Sequence, residues 1–271
     1  MKGEGRMNIY LKELKSNRKA LIAWAVCIVA LIAMSVMKYR SMYEGNAEIG
    51  QIMSELPRIF AVLVGISNNV DFSTAKGFIS LLFTYPAYIL IFHAGFLGAH
   101  VLSREEEEKT AEFLYAKPVS RNRVLLLKLT AAFTMCIVLN MVTAGTFLLL
   151  LGADNGGELV PFILANSGTN LLLQLIYLSV GALSASLCKQ PARAGTISGL
   201  VMFGTLLLAK GLAMADNYNV LWMLAPPAYF EPRYYMFEKG IPTLAFVLSV
   251  AIILAAGILV FTCYRKRDLK T

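Results

Sequence analysis

Residues 77–123 read GFISLLFTYPAYILIFHAGFLGAHVL followed at once by SREEEEKTAEFLYAKPVSRNR. The first stretch, residues 77–102, contains no Asp, Glu, Lys or Arg, and about 20 apolar residues suffice for a helix to cross a bilayer. The second stretch, residues 103–123, is strongly charged and opens with four consecutive glutamates. We therefore expect a transmembrane helix that emerges into water near Ser103 and presents a hydrophilic segment there.

The rest of the chain repeats the apolar pattern. Of 271 residues, 57% are apolar and only 15% are charged, whereas soluble domains are about 25% charged. We predict an all-α membrane protein with six transmembrane helices. The spans lie at about residues 20–37, 77–102, 129–153, 159–188, 194–215 and 241–264, within a transmembrane domain of residues 20–271.

The N-terminal segment, residues 1–19, is predicted to be a separate cytosolic, amphipathic helix. Met7, Tyr10, Leu11 and Leu14 recur at three- and four-residue spacing on one face, and lysines and arginines fill the remainder. Such a helix lies in the membrane interface with its cations toward anionic headgroups.

The lysines and arginines that give the chain its net charge of +8 are concentrated on one predicted side of the membrane. If the N-terminus is cytosolic, 18 of the 25 lysines and arginines fall in cytosolic segments or at their edges. Cytoplasmic loops carry this excess in membrane proteins, so we expect a multi-pass protein of the cell membrane with both termini in the cytosol. The positive charge then indicates topology and not nucleic-acid binding.

The charged insert after residue 102 has signals for a short helix of its own. Ser103 and Glu106 have the spacing of a capping box, the glutamates favour the first turn of a helix, and Pro118 favours its end. The apolar cluster Phe113–Tyr115 would be exposed in so short a loop. By composition alone the insert is either a solvated linker or a docking surface.

The insert closely resembles the segment after the second span in permease subunits of the type-2 ABC transporter family, abbreviated ABC-2. The matching residues are Arg104, Glu105, Glu106, Glu107, Glu108, Thr110, Glu112, Phe113, Leu114, Pro118, Val119, Ser120 and Arg121. Lys109 departs from the pattern, because the family often has glycine at that position. A second block, LWMLAPPAYFEPRYYMFEKG at residues 221–240, and the basic head that leads into Trp24 also resemble the family.

This resemblance implies a division of labour between chains. Two copies of the permease, or one copy and a paralogous permease, would pair with two cytosolic ATPase subunits, which bind ATP and Mg. The insert would be the coupling helix seated on the ATPase. Its contact residues would be Arg104, Glu105, Glu106, Glu107, Glu108, Thr110, Glu112, Phe113, Leu114, Tyr115 and Pro118. No G-x-x-x-x-G-K-[ST] sequence occurs in the chain, so we expect no cofactor and no catalytic residue on it.

Polar side chains inside the spans allow two interpretations. Asn166, Asn170 and Gln174 recur every four residues on one face of the fourth span, and Asn140 lies in the third. They either form hydrogen bonds between helices or line part of a substrate path. Small residues add a packing signal, because Gly195 and Gly199 form a GxxxG spacing, and Gly95 and Ala99 form a second one. Whether these glycines pack within the chain or across a dimer is left open.

The predicted function is a permease subunit of an ATP-driven exporter. The uncharged, aromatic-rich spans suit an amphipathic or hydrophobic substrate, and the resemblance implies a peptide toxin or antimicrobial peptide. A secondary, ion-driven transporter is the alternative, although such proteins place an ionisable side chain near the midplane and Lys210 lies near an edge. The sequence argues against an intramembrane protease, because the glutamates lie in water, and His93 and His100 lack the carboxylates that a metal site would need.

Overall fold

The computed structural model describes residues 4–44, 57, 59, 62, 75–109, 120–153, 157–188, 190–215, 220–237 and 240–266. The helices are α1 (Glu4–Glu44), α2 (Ala75–Glu107), α3 (Arg121–Leu151), α4 (Val160–Leu187), α5 (Ala194–Ala215), α6 (Pro232–Met236) and α7 (Thr243–Lys266). Short 3-10 turns lie at Pro191–Arg193, Val220–Leu224 and Pro226–Ala228. We call the end that holds the start of α1 the inner end, because the charge pattern predicts that it faces the cytosol.

Six of these helices are long and apolar enough to cross a membrane: α1 to α5 and α7. All regular elements that the structure describes are helical, so the predicted all-α architecture with six spans is confirmed. The first three helices, α1 to α3, are longer than the apolar stretches that predicted them. Glutamate is a good helix former, so α2 continues through Glu107 instead of stopping at Leu102.

The N-terminal segment is continuous with the first span. The chain has no proline between residues 4 and 44, and nothing interrupts α1 where the sequence suggested a boundary after residue 19. The head of α1 packs along α3, where the Tyr10 and Thr134 hydroxyls are 2.9 Å apart. Its buried face includes the polar residues Glu13 and Asn17, whereas Leu11 of the predicted apolar face is half exposed.

The centre of the bundle is the contact between α2 and α4. A Cβ atom at Gly181 would clash with the carbonyl oxygen of Gly95 and lie 3.0 Å from the backbone nitrogen of Ala99. A Cβ atom at Gly98 would likewise clash with the carbonyl oxygen of Leu178. Only glycine permits this backbone contact, so the small-residue spacing of Gly95 and Ala99 packs within the chain.

The outer segment between α5 and α7 folds back onto the bundle. Trp222, Tyr229 and Phe230 are all buried, and the Trp222 and Tyr229 rings are 4.8 Å apart. The indole N–H of Trp222 donates to the carbonyl oxygen of Ala228 at 3.3 Å. Short helices therefore form in this segment, and their aromatic side chains pack inward.

Candidate functional site

The inner ends of three helices meet at a buried charge cluster, formed by Glu13 of α1, Arg104 and Glu105 of α2, and Lys128 of α3. The Lys128 ammonium contacts the Glu105 carboxylate, donates to the carbonyl oxygen of Val101 at 2.7 Å, and lies 3.7 Å from Glu13 Oε1. Arg104 Nη1 lies 3.6 Å from Glu13 Oε2. The cluster therefore links α1, α2 and α3 through ion pairs and a hydrogen bond.

The cluster is formally neutral and almost dry. Relative exposure is 0% for Lys128, 2% for Glu13, 7% for Glu105 and 8% for Arg104. A charge in so little water is tolerated only when an opposite charge and hydrogen bonds replace its hydration. Removing one member leaves another charge buried without compensation, at a cost of about 3–5 kcal/mol. The four side chains are therefore mutually dependent, and they fix the relative position of the three helices.

The opposite end of the bundle contains a cleft between α2, α4, α5 and the outer segment. Its volume is about 790 Å³, including space open to solvent. Lining residues include Phe83, Tyr88, Asn166, Asn170, Lys210, Phe230, Glu231 and Arg233. The Lys210 ammonium lies 5.4 Å from the centroid of the Tyr88 ring, and Arg233 Nε lies 2.9 Å from Glu231 Oε2 at the rim. The cleft thus combines charged groups with apolar and aromatic walls.

Two of the polar side chains predicted in the spans bond to neighbouring elements. The Asn140 amide on α3 donates to the carbonyl oxygen of Ser167 on α4 at 2.9 Å. The Tyr235 hydroxyl donates to Asn166 Oδ1 at 3.0 Å, and burial raises the pKa of Tyr235 so that this proton stays in place. Interhelical hydrogen bonding therefore accounts for Asn140, while Asn166 joins α4 to α6 at the cleft.

The other two polar side chains of α4 are less satisfied. Asn170 and Gln174 are buried, and their side-chain nitrogens have no hydrogen-bond partner among the residues described. Asn170 lines the cleft with Asn166, whereas Gln174 lies among buried side chains and does not line it. Of the four predicted residues, Asn166 and Asn170 are therefore the two that line the cleft.

A comparison with known families gives the decisive finding. The sequence pattern of the ABC-2 family transporter proteins matches residues 7–269, nearly the whole chain. The chain belongs to the ABC-2 transporter family. It is a multi-pass membrane permease of the ABC class, and the family of its resemblance is confirmed. No curated protein matches the chain.

The permease does not present its predicted coupling residues on one surface. Arg104 and Glu105 belong to the buried charge cluster, and Glu106 is also buried, whereas Glu107 and Glu108 are exposed. Successive residues of a helix point about 100° apart, so a run of five charges must cover both faces. The residues Thr110, Glu112, Phe113, Leu114, Tyr115 and Pro118 lie outside the described part of the chain.

In the permease, Glu105, Glu106 and Glu107 form the last turn of α2 and do not begin a new helix. Ser103 lies inside α2, and its hydroxyl donates to Glu107 Oε1 at 2.8 Å, so the capping-box interpretation is wrong. The amide N–H of Glu108 bonds to the carbonyl oxygen of Arg104 at 2.8 Å, which continues the helical pattern. Charge repulsion at this end is offset by the pair between Arg104 Nε and Glu108 Oε1 at 3.1 Å.

In the permease, α2 ends at Glu107, and two residues later Lys109 has a φ of +53°, in the left-handed region. Helices commonly end on such a residue, and glycine is the usual choice because it has no Cβ atom. Lys109 is the position at which the sequence departs from the glycine often found in the family. The replacement of glycine by lysine therefore has an energetic cost, because the left-handed conformation costs a residue with a side chain roughly 1–2 kcal/mol.

The GxxxG residues of the permease make no close backbone contact with the residues that the structure describes. A Cβ atom at Gly195 would meet nothing within 4 Å, and one at Gly199 would meet only the Phe96 ring at 3.4 Å. Both glycines are partly accessible on α5. They therefore serve little purpose in packing the single chain, and their role across a dimer stays a prediction.

His93 and His100 of the permease line one small cavity with Trp24, as their seven-residue spacing suggested. The His93 and Trp24 rings meet edge to face, with centroids 5.8 Å apart. Within the described ranges, no group of three or more potential metal ligands comes together.

Sequence reasoning missed Glu13 and Lys128 of the permease as parts of a site. Glu13 lies in an N-terminal segment that is rich in lysine and arginine, and Lys128 counts among the cations that the charge pattern predicts on the cytosolic side. A signal existed in the stretch VLLLKLT at residues 124–130, where a single lysine is enclosed by apolar residues and needs a partner when the helix packs.

Proposed function

We propose that this protein is the membrane-spanning permease subunit of an ATP-driven ABC exporter. ATP and Mg bind to a separate cytosolic ATPase, present in two copies, and the permease pairs with a second copy of itself or with a paralogue. The family membership supports this division, and so does the absence of a phosphate-binding G-x-x-x-x-G-K-[ST] sequence from the chain.

The observation that carries the proposal is the direct connection between the acidic end of α2 and the buried charge cluster. Glu107 and Glu108 are exposed, and they lie within one helical turn of Arg104 and Glu105, which hold α1 and α3. A rigid contact between an ATPase and this end would displace three helices together, because breaking the cluster leaves a charge unpaired in a dry site.

The substrate that fits this proposal is amphipathic or hydrophobic, with a peptide toxin or antimicrobial peptide as the first candidate. The apolar and aromatic walls of the cleft support this class, and so does the scarcity of charge in the spans. Asn166 and Asn170 are the polar residues that a passing substrate would meet in the cleft. Asn140 joins α3 to α4 beside that path, Gln174 would offer a further polar group to the substrate, and Gly195 and Gly199 would contact the second copy.

The test is co-purification of the full chain with candidate ATPases from the same membrane. Glu107→Lys reverses an exposed charge at the inner end and should weaken the association about tenfold, since charge reversal at an interface acts on specificity and binding. Phe113→Ala should reduce ATPase binding or uncouple hydrolysis from transport. Glu158→Lys is the matched control, because Glu158 is an exposed glutamate at the other end of the bundle.

Equal ATPase binding and equal substrate-stimulated hydrolysis in Glu107→Lys, Phe113→Ala and the unchanged protein would refute the coupling role. Reconstitution separates the ion-driven alternative. Transport by the purified chain alone, driven by a proton or sodium gradient and insensitive to ATP, would establish a secondary transporter and remove the ATPase from the proposal.

A further inference from the structure

Among the residues that the structure describes, the outer cleft is lined by one more positive than negative side chain. Its charged lining residues are Lys210, Arg233 and Glu231, two cations and one carboxylate. The carboxylate pairs with Arg233 at 2.9 Å and also attracts the Lys210 ammonium at longer range, so one carboxylate is shared between two cations. The Lys210 ammonium faces the Tyr88 ring, and the structure shows no ion pair between Lys210 and any residue that it describes. An ammonium over an aromatic face gains about 0.5–2 kcal/mol, which is less than the stabilisation that an anion would supply.

A second, independent group in the cleft also lacks an acceptor. The Asn170 side chain is 2% exposed, and its Nδ2 has no hydrogen-bond partner among the described residues. A buried donor left without an acceptor costs about 1–3 kcal/mol. Its neighbour on the same face, Asn166, has its oxygen occupied by Tyr235. An acceptor-bearing ligand would satisfy Asn170 without competing with that bond.

The remaining walls suit the apolar part of such a ligand. Phe83, Ile91, Leu173 and Phe230 line the cleft and come from three different elements. Asn170 lies ten residues inside α4, which places it about 15 Å along the helix from the outer end of α4. The cleft is therefore deep enough for a head group and a short apolar chain.

We propose that the outer cleft of each permease chain binds an amphipathic anion, a carboxylate or phosphate that carries an apolar chain. Lys210 supplies the counter-charge, Asn170 donates a hydrogen bond to an oxygen of the anion, and the apolar chain packs on Phe83, Ile91 and Leu173. The site lies within one chain and at the end opposite the charge cluster. It depends on neither an ATPase nor a second copy.

Trp222 provides a sensor for this site. The chain has two tryptophans, and Trp24→Phe leaves only Trp222, whose ring is 4.8 Å from Tyr229. Tyr229 in turn lies 6.2 Å from Phe230, a wall of the cleft. In full-length Trp24→Phe protein in phosphatidylcholine nanodiscs, 12-bromododecanoate should quench the Trp222 fluorescence saturably. The neutral 12-bromododecanol should require about tenfold more ligand, because it has no charge for Lys210.

The variants separate the proposed site from general membrane partitioning. In the same background, Lys210→Met should weaken dodecanoate binding about tenfold, Asn170→Leu about threefold, and Lys210→Arg should retain it. Lys76→Met is the matched control and should change nothing. Lys76 is also a lysine near the outer end of a span, 5.7 Å from the Phe162 centroid, but it does not line the cleft.

Two nanodisc compositions distinguish the source of the anion. Saturable quenching by brominated phosphatidic acid at low mole fraction identifies a lipid headgroup, and quenching by free bromododecanoate alone identifies a soluble amphiphile. The proposal is overturned if the acid and the alcohol quench equally, if quenching never saturates, or if Lys210→Met binds like the unchanged residue. None of these outcomes bears on ATPase association, so this site and the coupling role can fail separately.

Discussion

Replacing Lys128 by methionine should destabilise the permease more than any other single loss of a cation at the inner end. The side chain is fully buried, and it contacts Glu105, Glu13 and the carbonyl oxygen of Val101. Without its ammonium, two buried carboxylates share Arg104 as their remaining cation in the cluster. We expect a loss of about 3–5 kcal/mol. For a chain of this size, that corresponds to a fall in Tm of roughly 6–20 °C.

The measurement is thermal unfolding of the full chain in nanodiscs, followed by tryptophan fluorescence. Lys15→Met is the control, because Lys15 is an exposed lysine on α1 and should shift Tm by less than about 2 °C. Glu105→Gln alone should also destabilise the protein, since it leaves Lys128 with the more distant Glu13.

The double variant Lys128→Met/Glu105→Gln provides the decisive comparison. It removes one charge of each sign, and the pair Arg104 and Glu13 remains neutral. Its loss of stability should therefore be smaller than the sum of the two single losses, by about 1–3 kcal/mol. Additive losses would refute the reasoning, and so would a Lys128→Met protein as stable as Lys15→Met.

Two backbone predictions use the same assay. Lys109→Gly should raise the free energy of unfolding by about 1 kcal/mol, because residue 109 has a φ of +53°, which glycine adopts without strain. Lys109→Ala should give no such gain. Equal changes in unfolding free energy for the two variants would contradict the argument. Gly181→Ala should cost about 1–3 kcal/mol, because the new methyl group would clash with the carbonyl oxygen of Gly95. Gly168→Ala is the control in the same helix, and it should be neutral or stabilising because a Cβ atom there meets nothing within 4 Å. A similar loss of stability in Gly181→Ala and Gly168→Ala would rule out the close contact.

The acidic stretch after Ser103 also shows where a prediction from local sequence fails. The glutamates after Ser103 were expected to open a new helix, but α2 continues through Glu107 because no helix-breaking residue separates them from the second span. The first span shows the same effect, because α1 runs unbroken from Glu4 to Glu44. Apolar length marks the part of a helix that the membrane covers, whereas the helix itself continues as long as its residues favour it.

Sequence alone determined the number of spans, the helical class and the family of this protein. Those properties depend on uninterrupted apolar length and on motifs whose residues are neighbours in the chain. Tertiary structure decided which charges of the acidic stretch face inward. Glu105 is buried because Lys128 lies on α3, and Arg104 is buried because Glu13 lies on α1. A local pattern can indicate that a buried charge such as Lys128 needs a partner, but it does not identify that partner, because only helix packing brings the two charges within a few ångströms of each other.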